Sequence, residues 1–407
     1  MRAAFVNAVC GSGSTGKIVT GLLRSLRGAG DEGRVFFGVG KAQDIASEDA
    51  CRFGSTADYY LHNAVSRLTD HAGFYSTAAT RRMIKAIEAY QPDLIHLHNL
   101  HGYYLNVEEL FHYLSGCGKT VLWTLHDCWA FTGHCTHFSA AGCEQWKTGC
   151  RSCSQLSRYP KCLLWGDVER NYARKRSLFT SVPGLTLITP SVWLAGIVRQ
   201  SFLGQLEIIP IPNGIDTERF CPVKSDVKER LGLTGKKMAL GVASVWNERK
   251  GLQDLLRLSE LLPDDWRLVL VGLTKQQQAL FPKLVVTMER TSSQEALARL
   301  YSAADVFINP SYEETMGMTT AEALACGTPA VVYDRTAVPE LVDESCGAIV
   351  PAGDVKALCA AVTSISLDRK AARARGLQYA QSKQNEAHLR LYRRLVQASK
   401  NGLEAPL

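Results

Sequence analysis

The sequence predicts an α/β protein built from two doubly wound, parallel-sheet domains. Three observations carry that reading. A chain of 407 residues is longer than one hydrophobic core usually organises. Short runs rich in Val, Ile and Leu, apolar on both faces, recur along it as buried parallel strands do. Helix-length segments separate those runs, and strand–helix alternation of this kind gives a parallel sheet covered on both sides.

Taken in order, the strand-like runs of the first half are "RAAFVNAV", "GRVFFGVG", "PDLIHLHN", "KTVLWTLHD" and "LTLITPS". Between the first two lies "KIVTGLLRSLRGAG", a helical pattern ended by glycine. The stretch "IIPIPNGIDTERFCP" (208–222) has prolines and an Asn-Gly step that rule out a continuous element, so it reads as the linker. The second half repeats the alternation with "KKMALGVAS", "WRLVLVG", "KLVVTME", "DVFINPS" and "TPAVVYD". The expected division is therefore 1–205, a linker 206–222, 223–385, and a closing helix over 386–407 that packs back on the first domain. In such sheets ligands bind beyond the carboxyl ends of the strands, which is where chemistry-bearing residues are sought.

Composition narrows the class. The chain is 46% hydrophobic and 21% charged, and no run approaches the roughly 20 apolar residues of a membrane helix. "MRAAFVNAV" runs into a glycine loop rather than a cleavage site, so the expectation is a cytoplasmic protein whose 13 cysteines are thiols or metal ligands. The net charge of +7 includes the clusters 173–177 and 368–376, which suit an anionic membrane surface or simply solvated helix faces. Basic residues are not interleaved with aromatics in a nucleic-acid-binding pattern, so no nucleic-acid partner is expected.

The strongest motif follows "DVFINPS". In "YEETMGMTTAEALACGTPAVVYD", Glu314 and Glu322 bracket seven residues around Gly317, and Met318, Thr319 and Thr320 open a helix. A helix N-terminus offers unpaired N–H groups and a positive dipole end to a diphosphate. Glu322, inside the first turns, would lie near whatever that phosphate carries. Isolated, the pair would read as a loop carboxylate and a solvated helix residue; its context argues for function.

Here the chain resembles the retaining glycosyltransferases of family 4, with the two-domain GT-B architecture. The residues that carry the resemblance are "NPSYEETMGMTTAEALACGTPAVV", "YSAAD", "PNGID" and "NERKG". The resemblance implies two Rossmann-like domains facing across a cleft, with the second binding a nucleotide-diphosphate sugar. It gives Glu314 the donor-sugar hydroxyls, Glu322 the ribose, and Lys250 the diphosphate. The family's arginine five or six residues before that lysine is absent, the positions being Val245 and Ser244, so Arg249 is the candidate substitute. By the same resemblance His126, in "TLHD" at a strand end, touches the sugar near its anomeric carbon. Retaining transfer of this kind is thought to need no side-chain base and no metal. The protein's part is positioning and stabilisation of the leaving diphosphate.

Other residues complete the set. His98 and Asn99 end "DLIHLHN" and, with Asp127, are candidates for the acceptor side. Cys135, Cys143, Cys150 and Cys153 include one C-x2-C and can be read as a structural zinc site, the alternative being buried free thiols. The segment "TLHDCWAFTGHC…GCEQWKTGCRSC…YP" looks like the colanic-acid branch of these enzymes, which implies a glycan or lipid-linked acceptor at the inner face of the membrane.

The opening "CGSGSTGKIV" nearly spells a P-loop. A nucleoside-triphosphatase or kinase would require Ser or Thr where Ile18 stands, and an acidic strand end where "DLIHLHN" supplies His and Asn. Gly13, Ser14, Thr15 and Gly16 instead suit close approach of the donor diphosphate or acceptor, with Lys17 opening the helix and Ile18 its first buried residue. A non-catalytic zinc-stabilised binding protein is the remaining rival, and it leaves Glu314, Glu322 and Lys250 without a use.

Overall fold

The computed structural model describes residues 1–366 and 368–401. It divides into two compact units, Met1–Ile211 with the chain from Asn385 onward, and Pro212–Gln384. In the first unit the strands are β1 (Arg2–Asn7), β2 (Glu32–Phe37), β3 (Ala50–Arg52), β4 (Leu94–Leu97), β5 (Thr120–Thr124), β6 (Thr186–Thr189) and β7 (Glu207–Pro210). They form one parallel sheet in the order β3-β2-β1-β4-β5-β6-β7. The second unit has β8 (Lys237–Val242), β9 (Trp266–Val271), β10 (Val286–Met288), β11 (Val306–Asn309), β12 (Ala330–Tyr333) and β13 (Gly347–Val350), also all parallel, in the order β10-β9-β8-β11-β12-β13. Both units are Rossmann-like.

The double winding is visible in single strands. Along β1, Ala4 and Val6 enter one core while Ala3 and Phe5 enter the other. Along β9, Val269 and Val271 lie in one core and Leu268 and Leu270 in its opposite. A side chain alternates faces at each residue, so a strand covered by helices on both sides must be apolar throughout.

Helix α1 (Gly13–Gly28) covers one face of the first sheet with Val19, Leu22, Leu23 and Leu26. Helix Gln381–Lys400 joins it there: Leu389, Leu391, Tyr392 and Leu395 are buried in the same core, and Asn385 Nδ2 donates to Gly21 O (3.2 Å) and Ser25 Oγ (2.8 Å).

Three details depart from the sequence reading. Positions 207–210, assigned to the linker, form β7, a half-buried edge strand whose proline is its last residue, where a missing N–H is tolerated. β3 and β13 are additional edge strands of three and four residues, too short to show a period. Helix α1 begins at Gly13 rather than Lys17, and Gly16 is its first buried residue, Ile18 being only half-buried.

Candidate active site

Strand order reverses between β1 and β4 in the first sheet and between β8 and β11 in the second. Loops leaving neighbouring strands at such a point turn to opposite faces and open a crevice beyond the strand ends. The segments that follow those four strands hold most of the residues singled out above.

In the second unit the loop after β11 folds back against the one after β8. Lys250 closes a short 3-10 turn, Glu248–Lys250, capped by Asn247, whose side chain accepts from the Lys250 N–H (3.1 Å). Its ammonium pairs with Glu314 Oε1, and both side chains are largely shielded from water. Ser311 Oγ also donates to Glu314 Oε1 (3.3 Å), and the Glu314 N–H is held by Thr336 Oγ1 (2.9 Å). Gly251 makes the approach possible: it sits at φ +74°, and a Cβ there would meet Pro310 O at 2.2 Å. Arg249 O accepts from the Tyr312 N–H (2.8 Å), locking the two loops together.

Gly317 is the N-cap of helix Met318–Ala325, which has no side-chain cap, so the first-turn N–H groups of Met318 and Thr319 are offered at the strand ends. Glu322 lies on the next turn, where Tyr301 Oη donates to its Oε2 (3.0 Å). Burial, together with the Glu322 carboxylate, raises the Tyr301 phenol well above its usual range, so it stays a proton donor.

In the first unit His126 and Asp127 follow β5. His126 Nε2 lies 3.1 Å from His98 Nδ1, with the rings stacked at 5.4 Å. Dense packing lowers the His126 pKa to about 4, so the ring is neutral at pH 7. For Asp127 burial acts upward, but the His101 ring (2.6 Å) and the Trp129 N–H (2.9 Å) on its two oxygens hold it down to about 2. After β1, α1 starts with Ser12 as an N-cap whose side chain makes no capping bond, leaving its first-turn N–H groups uncapped. Gly11 is required by packing: at φ +75° its Cβ would fall 2.0 Å from Gln43 O.

Residues 15–219 match the family model Glycosyltransferase Family 4, half of the chain, and residues 236–368 match Glycosyl transferases group 1. The chain belongs to glycosyltransferase family 4. Among its relatives, the colanic acid biosynthesis glycosyl transferase WcaC of Escherichia coli K12 is 29% identical over 65% of this chain and 65% of its own length. The lipopolysaccharide core biosynthesis mannosyltransferase LpsB of Rhizobium meliloti is 32% identical over 41% of this chain and 54% of its own. The chain thus spans less than two thirds of the curated relatives it matches. Two solved structures fix the fold as GT-B. Sucrose-phosphate synthase of Thermosynechococcus elongatus aligns over 98% of this chain and 99% of its own (TM-score 0.69, 20% identity). Anabaena HepE, solved with UDP and glucose, aligns over 96% and 99% (TM-score 0.65, 16% identity).

Within this family 4 chain most of the expected residues lie on segments that follow strand ends. Lys250, Glu314, Gly317, Met318, Thr319 and Glu322 gather on the loops after β8 and β11, and Gly13, Ser14, Thr15 and Gly16 form the first turn of α1. Arg249 stands beside them, but its guanidinium donates to Glu313 O (2.7 Å) and braces the loop. Four residues are already engaged within the protein. Thr320 is fully buried, its hydroxyl accepting from Asn309 Nδ2 (2.9 Å) and its N–H donating to Gly317 O (3.0 Å), so it anchors the helix to β11. Asp127 is committed to His101 and Trp129. His98 is buried against His126, and the Asn99 side-chain oxygen accepts from the His101 N–H (3.2 Å); both line a small pocket with His126 and Asp127.

The cysteines of the Cys-rich segment are free thiols that bond within it. Cys135 and Cys153 hydrogen-bond to each other, which raises the first thiol and lowers the second. Cys150 accepts from the Gly133 N–H (3.2 Å). Among the described residues no three of His, Cys, Asp or Glu are disposed to hold a metal ion, while Cys135, Cys143 and Cys153 all lie close enough to Cys150 to influence it or be influenced by it. Two buried charged residues, Lys175 and Asp70, stabilise this region. Lys175, in a cluster read as membrane-facing or solvated, is fully buried over the Trp129 ring (3.6 Å) and donates to Trp129 O (2.8 Å) and Thr132 O (3.1 Å). Burial lowers its pKa to about 7. Asp70, also fully buried, pairs with His134 and accepts from the Asp167 N–H (3.0 Å). Only an i,i+n pattern is legible locally, and Asp70 lies 64 residues from His134.

Proposed function

We propose that the chain is a retaining glycosyltransferase that moves a sugar from a UDP- or GDP-sugar to a glycan or lipid-linked acceptor in bacterial surface-polysaccharide synthesis. The observation that carries the reading is the Lys250–Glu314 pair at the switch point of the second sheet, followed in the chain by an uncapped helix N-terminus whose helix carries Glu322. Before donor binds, the ammonium and carboxylate neutralise each other in a half-buried place. A bound diphosphate takes over Lys250 and the Met318 and Thr319 N–H groups, and Glu314 turns to the sugar hydroxyls. Glu322, oriented by Tyr301, accepts from the ribose. As the glycosidic bond breaks, negative charge grows on the leaving phosphate. Lys250 is a compact cation suited to that position, and preorganised charge there is the largest contribution to catalysis. In the first unit, His126 is a neutral imidazole able to hydrogen-bond a sugar hydroxyl, and the glycine turn of α1 offers uncapped N–H groups. The departing phosphate oxygen takes the acceptor proton, so neither a side-chain base nor a metal is required.

The names of WcaC and LpsB support a surface-glycan acceptor, and a lipid-linked one places the enzyme at the cytoplasmic face of the membrane, as a peripheral protein. The test is turnover of a panel of UDP- and GDP-sugars with a bacterial lipid extract, followed by NMR of the product anomer. Transfer with the donor's anomeric configuration supports the reading; an inverted product overturns the retaining mechanism.

A further inference from the structure

Helix α2 (Thr56–Thr69) is amphipathic the wrong way round for a soluble surface. Its buried residues are polar, His62 and Ser66, and His62 is anchored by Ser76 Oγ (2.8 Å) and the Gly73 N–H (3.2 Å). Its exposed stripe, at helical spacing, is Ala57, Tyr60, Leu61, Ala64 and Leu68, with Arg67 the one charge among them. Tyr60 and Leu61 are 66% and 67% exposed. The Leu163 N–H donates to Arg67 O (2.7 Å), which lays the segment Leu163–Trp165 beside the end of this helix. All three of its residues are exposed, Trp165 by 87%. Large apolar side chains contiguous on a surface mark a contact, not a solvated face.

The charge around the patch says what it contacts. Residues 158–165, the stretch that joins the end of α2, contain Arg158 and Lys161 and no acidic residue, both cations being exposed. The one acid on α2, Asp58, is spent on the Ser55 cap and on Arg82. Aromatic and leucine side chains ringed by Lys and Arg are the composition of a segment that lies in a bilayer interface. A second copy of the same basic patch would be met by like charge.

We propose that α2 and Leu163–Trp165 form the surface by which this chain docks on a bilayer containing anionic lipid. The inference deepens the membrane contact proposed above by assigning its residues, and it is testable without donor or acceptor. The experiment is co-sedimentation of the full chain with vesicles of phosphatidylglycerol and phosphatidylethanolamine, and with vesicles of phosphatidylcholine alone. The expected result is binding to the first only, weakened at least tenfold in Leu61→Ser/Trp165→Ser and weakened by salt and by Arg67→Glu/Lys161→Glu. Thermal melts of both variants should match the wild type, because the replaced side chains are exposed. Equal binding by the wild type and both variants would overturn the proposal. So would an absence of vesicle binding, with or without a concentration-dependent dimer abolished by Leu61→Ser/Trp165→Ser. Donor turnover that persists when vesicle binding fails would leave the transferase reading intact.

Discussion

At the residue scale the account rests on contacts that sequence spacing only partly reveals. The separation of Glu314 and Glu322 and the Lys-Gly step at 250–251 are legible, because each is local. Their partners are not: Tyr301 and Thr336 reach the site from other elements. Gly251→Val tests the packing. The added side chain strikes Pro310 O and must adopt a left-handed backbone, each a cost of on the order of 1–3 kcal/mol. Urea unfolding should show a loss of at least about 2 kcal/mol, and an unchanged midpoint would refute the role given to this glycine. Tyr301→Phe tests the orientation of Glu322. Removing one hydrogen bond to a carboxylate should weaken nucleotide binding by about 1.5–3 kcal/mol, roughly 10- to 150-fold, with secondary structure unaltered. Wild-type affinity in that variant would mean that Glu322 does not depend on the phenol.

At the element scale, long buried strands were readable because burial on both faces leaves an unbroken apolar run. Edge strands β3, β7 and β13 were not, since one side of each lacks a partner and three or four residues establish no period. Helix Gln381–Lys400 illustrates the opposite case. Its helical pattern is plain, yet only the structure shows that Tyr392 is wholly buried with its hydroxyl 2.6 Å from His96 Nδ1, and that His96 also meets Thr124 Oγ1 at 2.8 Å. The histidine is therefore structural. Tyr392→Ala should destabilise the first unit by about 3–5 kcal/mol, as large buried aromatics do, and Tyr392→Phe by about 1 kcal/mol. Chemical denaturation measures both, and equal losses would show that packing around the ring is not what holds the helix.

At the scale of the whole molecule, the plan of two Rossmann-like domains was legible, since it follows from strand–helix alternation. The protonation behaviour was not, because it depends on burial. His62 is lowered to about 3 and His126 to about 4, and His96 and His98 well below the usual range, in each case chiefly by burial. The unfolded chain binds protons at these histidines from about pH 6.5 downward, whereas the folded chain does not. Their contribution is thus complete above pH 6.5 and is lost progressively below it, down to about 4 for His126 and about 3 for His62, at up to about 1.4 kcal/mol per pH unit for each group. The melting temperature should fall steadily from pH 7 to pH 5, before Asp127, held near 2, begins to titrate. A flat profile over that interval would contradict neutral burial of the histidines. The claim on which the rest depends is that the second unit holds a nucleoside diphosphate through Lys250 and Glu322. Calorimetric titration with UDP and GDP, without Mg²⁺, tests it most directly. Saturable binding of one nucleotide, lost in Lys250→Ala and in Glu322→Ala, is expected; binding of neither by the folded wild type, or equal binding by both variants, would show that these residues do not hold a nucleoside diphosphate.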